Sequence, residues 1–239
     1  MTADPEHDLE HNIRSVRERI ADAAARAGRN PDDIMLVAVS KTWPAESVLA
    51  AHSLGVADFG ENRVEEAAEK IPRVNKAARG ITWHGIGHLQ SRKAKPAVEL
   101  FDFVQSVDSV ALSKRMSGSA LALGKQLPIL LEVNVSGETS KYGFAPSPRE
   151  EFFAAVDAIL ALPSLEVKGL MTVAPLVAQA EDARPFFRAL RELRDELRGR
   201  FPGSAWQHLS MGMTDDFEVA ITEGATIVRI GRALFGKRT

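Results

Sequence analysis

Lys41 directly follows the apolar run Ile34-Met35-Leu36-Val37-Ala38-Val39-Ser40, where a buried parallel strand ends and pushes one amine out of its top. A solvated lysine has a pKa near ~10.4, so only about one in a few thousand is uncharged and nucleophilic at neutral pH. A partly dry pocket with a second cation nearby lowers that pKa and makes imine formation with an aldehyde feasible. Two further segments could hold an anion. Ser210-Met211-Gly212-Met213-Thr214-Asp215-Asp216 and Arg229-Ile230-Gly231-Arg232 each lead from an apolar run into a helical one. Glycine lets backbone approach an anion, and Ser210 with free N–H groups supplies donors. Thr214 followed by Asp215 also reads as a helix N-cap.

These residues need a scaffold, and the chain supplies one by alternating strand-length apolar runs with amphipathic helix-length segments. Strands are expected at 34–40, 56–60, 81–86, 102–106, 128–135, 166–173, 205–209 and 226–230. Helices are expected near 44–54, 62–78, 90–99, 109–123, 148–161, 181–199 and 215–223, with a last one beginning near Arg232. An additional helix over 8–27, apolar at Leu9, Ile13, Val16, Ile20 and Ala24, precedes the first strand. Eight βα units imply an α/β fold, a single (β/α)8 TIM barrel with an extra N-terminal helix. The expected division is a tail and helix over 1–30 packed on a barrel over 31–239. In such a barrel chemistry collects at the C-terminal strand ends, and the loops after strands seven and eight bind phosphate. An amine on strand one facing that cup suits pyridoxal 5′-phosphate (PLP), whose aldehyde takes the lysine. A sugar phosphate, with Lys41 as an aldolase-type amine, suits the same two features.

Composition excludes several classes. With 45% hydrophobic and 26% charged residues the chain has ordinary globular composition, and its net charge of −2 gives no reason to expect nucleic acid or membrane as a partner. It has no cysteine, hence no disulfide, thiolate nucleophile or cysteine metal site. A polar, acidic start, Met1-Thr2-Ala3-Asp4-Pro5-Glu6-His7-Asp8, is unlike a signal peptide, and no apolar stretch reaches the ~18 residues a bilayer requires. A cytoplasmic protein is expected. His84 and His88 stand four apart among glycines rather than on an H-E-x-x-H helix, which favours structural or pocket-lining roles over a metal site. The arginine-rich segment 184–200 interleaves acids and reads as a solvated outer face.

The segments Ala38-Val39-Ser40-Lys41-Thr42, Phe59-Gly60-Glu61-Asn62, Trp83-His84-Gly85-Ile86-Gly87-His88-Leu89-Gln90, Gly169-Leu170-Met171-Thr172, Leu209-Ser210-Met211-Gly212-Met213 and Val228-Arg229-Ile230-Gly231 closely resemble the pyridoxal phosphate homeostasis protein family, single-domain relatives of alanine racemase. The resemblance runs from about Met35 to Gly236. It implies a barrel of the alanine racemase N-terminal type with PLP held as a Schiff base by Lys41. It further implies that Arg229 faces the pyridine nitrogen and that Ser210 with the backbone of Gly231 and Arg232 holds the phosphate. Asn62 would lie near the cofactor, with Met171 and Val173 as apolar neighbours of its ring. Arg232 stands where many members carry a small hydroxyl residue, leaving its N–H and a second cation for the anion. The implied role is vitamin B6 homeostasis: a monomeric carrier or buffer of PLP that delivers it to PLP-dependent apoenzymes. The alternative is an amino-acid racemase. Arginine at the ring nitrogen makes a poor electron sink, and racemases of this type take a second base, a tyrosine, from an additional domain. None is expected after the eighth unit here, so no catalytic residue is assigned.

Overall fold

In a computed structural model, which describes residues 5–236, eight parallel strands close into one barrel in chain order, β1 to β8. They are β1 (Met35–Val39), β2 (Asp58–Glu61), β3 (Thr82–Gly85), β4 (Phe103–Val107), β5 (Leu127–Glu132), β6 (Leu165–Met171), β7 (His208–Ser210) and β8 (Ile227–Ile230). β8 pairs with β1 through Leu36↔Val228 and Val37↔Arg229, which completes the cylinder. The helices are α1 (Pro5–Arg26), α2 (Ala45–Ser53), α3 (Val64–Ala77), α4 (Ala94–Leu100), α5 (Val110–Ala122), α6 (Arg149–Leu160), α7 (Arg184–Arg200), α8 (Phe217–Thr222) and α9 (Arg232–Phe235). The expected (β/α)8 barrel is therefore present.

Most apolar burial lies between strands and helices, as in α7, where Phe187, Leu190, Leu193 and Leu197 form one inward stripe. A separate small cluster of Val37, Phe103, Leu130, Met171 and Ile227 fills the inside of the barrel. Side chains two residues apart on a strand share a face, so Gln105, Glu132 and Arg229 face inward with Phe103, Leu130 and Ile227. The upper lumen is thus polar where this fold usually stacks branched aliphatics. Gly169 permits the β6–β7 approach: at φ +153° an added Cβ would lie 1.9 Å from the carbonyl oxygen of His208.

α1 lies against α8, α9 and α2. Leu9, Ile13, Val16, Ile20, Ala23 and Ala24 are buried there. Arg19 grips Glu218 through Nε and Nη2 at 3.0 and 3.1 Å, and Asn12 donates to the Leu234 carbonyl at 3.0 Å.

Three local expectations need correction. Strand seven is His208–Ser210 rather than 205–209, because Trp206 adopts φ 42° and turns the chain before pairing begins. The segments near 90–99 and 181–199 each open with a 3-10 turn, Ser91–Lys93 and Ala180–Ala183, before α4 and α7. Thr214 does not cap α8: its hydroxyl accepts from Ala233 N of α9 at 3.3 Å, and Asp216 occupies the cap position.

Candidate functional site

The loops after β1, β7 and β8 enclose a cavity of about 390 Å³ at the C-terminal mouth of the barrel. Its lining includes Val39, Lys41, Trp43, Thr214, Arg229, Gly231 and Arg232. That volume suits a ring-sized ligand. Lys41 and Arg229 thus meet at one cavity, as their strand-end positions imply.

The loop that presents Lys41 is braced from α3. Lys70 donates to the Ser40 carbonyl at 2.7 Å, to Glu61 Oε1 at 2.6 Å and to Glu66 Oε1 at 2.8 Å. Ser40 Oγ donates to the same Glu61 oxygen at 2.7 Å, and Thr42 N donates to Glu66 Oε1 at 2.5 Å. Both chain neighbours of Lys41 are therefore tied to one ion cluster, in which Lys70 and Glu61 are buried. Burial pushes the Glu61 carboxyl up from its usual range, against the pull of its hydrogen bonds to Lys70 and Ser40.

Arg229 is almost wholly buried and lines the floor of the cavity. Its Nη1 donates to Ser210 Oγ at 2.5 Å and its Nη2 to the Thr172 carbonyl at 2.8 Å. Burial pushes it down to about 10, opposed by the Glu132 and Asp216 carboxylates, so it remains a cation at neutral pH. Glu132 is raised to about 7 by burial first and Asp108 second, with Arg229 pulling the other way. Its Oε2 is buried without a hydrogen-bond partner among the described residues, as is Asn62 Oδ1.

The phosphate-suited corner lies between α8 and α9. Gly212, at φ +94°, lets the β7–α8 loop pass so close that a Cβ would meet Ala220 Cβ at 2.6 Å and Phe217 Cα at 2.8 Å. Asp216 Oδ1 accepts from Met213 N at 2.6 Å and fixes the turn. Arg232 pairs with Asp215 at the exposed rim.

Of the expected residues, Lys41, Arg229, Gly231 and Arg232 line the cavity. Ser210 does not. Its hydroxyl is fully buried, donating to Gln105 Oε1 at 2.6 Å and accepting from Arg229. Met171 belongs to the cluster inside the barrel and Val173 packs beside it. Asn62 borders a much smaller void beneath Gly87 and His88. Thr214, within the segment whose sequence suits an anion as well as a helix cap, also lines the cavity. Trp43 and Leu176 also line the cavity, and nothing in their spacing announces it.

His84 is fully buried and bonds Asp58 and Gln105 at 2.9 Å each. His88 pairs with Asp108 at 3.0 Å and stacks on Tyr142 with ring centroids 3.5 Å apart. No group of three or more His, Asp or Glu among the described residues is placed to hold a metal ion. No helix among them is long and apolar enough to cross a membrane.

Residues 6–239 match the model of the alanine racemase N-terminal domain family. A pyridoxal phosphate homeostasis protein from Pseudomonas aeruginosa is 44% identical over 230 residues, 96% of this chain and 96% of that one. Its counterpart from Aquifex aeolicus is 43% identical, covering 95% of this chain and 96% of that one. The structure of PipY from Synechococcus elongatus with PLP bound superposes with a TM-score of 0.83 at 34% identity, covering 95% of this chain and 100% of the other. With its eight-stranded barrel, its cavity at the mouth and this full-length likeness, the chain belongs to the pyridoxal phosphate homeostasis protein family, built on the alanine racemase N-terminal domain.

Proposed function

We propose that the protein binds PLP covalently at Lys41 and serves vitamin B6 homeostasis as a carrier or buffer, without efficient catalysis. The observation that carries this reading is that Lys41, the buried cation Arg229 and the loops after β7 and β8 line one cavity. When bound, PLP supplies an aldehyde that condenses with a primary amine and loses water. Lys41 would provide that amine. Thr214 and the backbone at Gly231 and Arg232 would hold the phosphate, with the Arg232 charge at the rim. Arg229 would face the ring nitrogen.

Arg229 carries donors only, so it holds the ring nitrogen unprotonated and weakens the ring as an electron sink. Racemisation also requires a second base on the opposite face. Tyr142, the single tyrosine, is stacked on His88 and is not among the residues lining the cavity. Imine exchange with amines, and hence delivery of PLP to apoenzymes, needs neither feature. We place this role in the cytoplasm and assign it to a monomer, with 1–30 as a helix-bearing extension of the 31–239 barrel.

The test is incubation of PLP-loaded protein with L- and D-alanine in deuterated buffer, following chirality and α-proton exchange. The expected result is binding with negligible turnover. Racemisation at ~1 s⁻¹ or faster, lost in Lys41→Ala, would replace the buffer by an enzyme.

A further inference from the structure

Beneath the cavity, hydrogen bonds run across the lumen from β8 to β7, β4, β3 and β2. Arg229 Nη1 donates to Ser210 Oγ at 2.5 Å, and Ser210 Oγ donates to Gln105 Oε1 at 2.6 Å. Gln105 Nε2 lies 2.9 Å from His84 Nδ1, and His84 Nε2 lies 2.9 Å from Asp58 Oδ1. Ser210, Gln105 and His84 are fully buried, whereas the Asp58 side chain, at the N-terminal end of β2, is 23% exposed. β4 and β7 are not neighbours in the sheet, so the Ser210–Gln105 bond spans the barrel's interior.

The donors fix one direction. Arginine can only donate, so Ser210 accepts from it, and the Ser210 hydrogen goes to Gln105 Oε1. The amide then presents its oxygen to Ser210 and its NH2 to His84, whose Nδ1 must accept. His84 is left with its hydrogen on Nε2, pointing at the Asp58 carboxylate. Every bond therefore runs head to tail from a cation at the mouth to an anion at the floor, an arrangement in which each link strengthens the next.

We propose that Gln105 and His84 are positioning residues for Arg229, and that this relay sets the guanidinium plane and turns the Ser210 hydrogen away from the cavity. Neither side chain touches a ligand; both act through Ser210. An apolar lumen would have served packing alone, and a buried arginine with free rotamers would lose its aim at the ring. For its ligand arm the proposal rests on the PLP reading above.

Two measurements test it. The first needs no ligand: ¹⁵N spectra of the histidine rings, assigned through backbone correlations, should show His84 as the Nε2–H tautomer. In Gln105→Glu, which keeps the side chain's shape, a carboxylate facing Nδ1 should draw a second proton and give an imidazolium at neutral pH. The Nδ1–H tautomer in the native chain, or an unchanged ring in that variant, would overturn the relay. The second is a double-mutant cycle on PLP affinity. Gln105→Leu should weaken binding about tenfold in the native chain but less than about threefold in a Ser210→Ala background, since the path is already cut. Equal losses in both backgrounds would refute action through Ser210. If native protein failed to bind PLP, the functional reading would fall while the tautomer arm still decided the relay.

Discussion

Replacing Lys70 by methionine removes the ammonium that three acceptors share, at 2.6–2.8 Å, beneath the Lys41 loop. Methionine fills similar volume, so the loss is electrostatic. It strands the Glu61 carboxylate, which is 0% exposed and whose other oxygen already has no hydrogen-bond partner among the described residues. Breaking a buried pair in this way costs about 3–5 kcal/mol. For a chain of this size that lowers Tm by roughly 6–20 °C. The cost must depend on pH. Burial already raises Glu61, and loss of Lys70 raises it further, so the neutral form is the one the variant tolerates. That tolerance is complete below the unfolded carboxyl range and fades as pH rises through the raised folded value. Lys70→Met should therefore be much less damaging at pH 5 than at pH 8, and Lys70→Met/Glu61→Gln should recover most of the loss at pH 8. Urea denaturation of the three proteins at both pH values is the assay. A deficit independent of pH, or a double variant no better than the single, would show that the Lys70–Glu61 pair does not brace the loop.

Glu132→Gln should flatten the stability curve. Because the Glu132 carboxyl is raised to about 7, its stabilising neutral form is complete below ~4.5 and is lost as pH rises through 7. The variant should be more stable than wild type at pH 8 by on the order of ~1–3 kcal/mol and no better at pH 4.5, as chemical denaturation would show. Thr214→Val should weaken PLP by roughly 1–3 kcal/mol, one charge-assisted bond, and leave pyridoxal unchanged; equal losses for both in calorimetry would remove the hydroxyl from the phosphate site. Gly169→Ala should cost more than about 4 kcal/mol or abolish soluble expression, because its Cβ would collide with the His208 carbonyl 1.9 Å away. A thermal unfolding curve near wild type would contradict that geometry.

The barrel was legible because alternation of apolar runs with amphipathic helices is a local pattern, and because Lys41, Arg229 and Gly231 stand at strand ends whose place in a barrel follows from count alone. What escaped was set by register or side-chain direction. Ser210 is the last residue of β7 and points into the lumen, so its hydroxyl turns inward while Thr214, in the next loop, borders the cavity. Trp206 reads as part of a strand because buried aromatics look alike in strands and in turns, and only its backbone at φ 42° separates them. The Lys70 brace joins the end of β2 to α3, and the Arg229–Asp58 relay joins five strands. Within the brace only Glu66 and Lys70 stand at a helical i,i+4 spacing; its ties to Ser40 and Glu61, and the bonds of the relay across the lumen, depend on how the strands come together.

The proposed covalent bond to PLP can be read at one residue. Protein incubated with PLP, reduced with borohydride and digested should carry one phosphopyridoxyl group per chain, on the peptide containing Lys41. Lys41→Ala should fold to the same Tm without cofactor and carry no such group. A stoichiometric adduct that persists in Lys41→Ala, mapped to Lys93 or Lys141, would contradict the account.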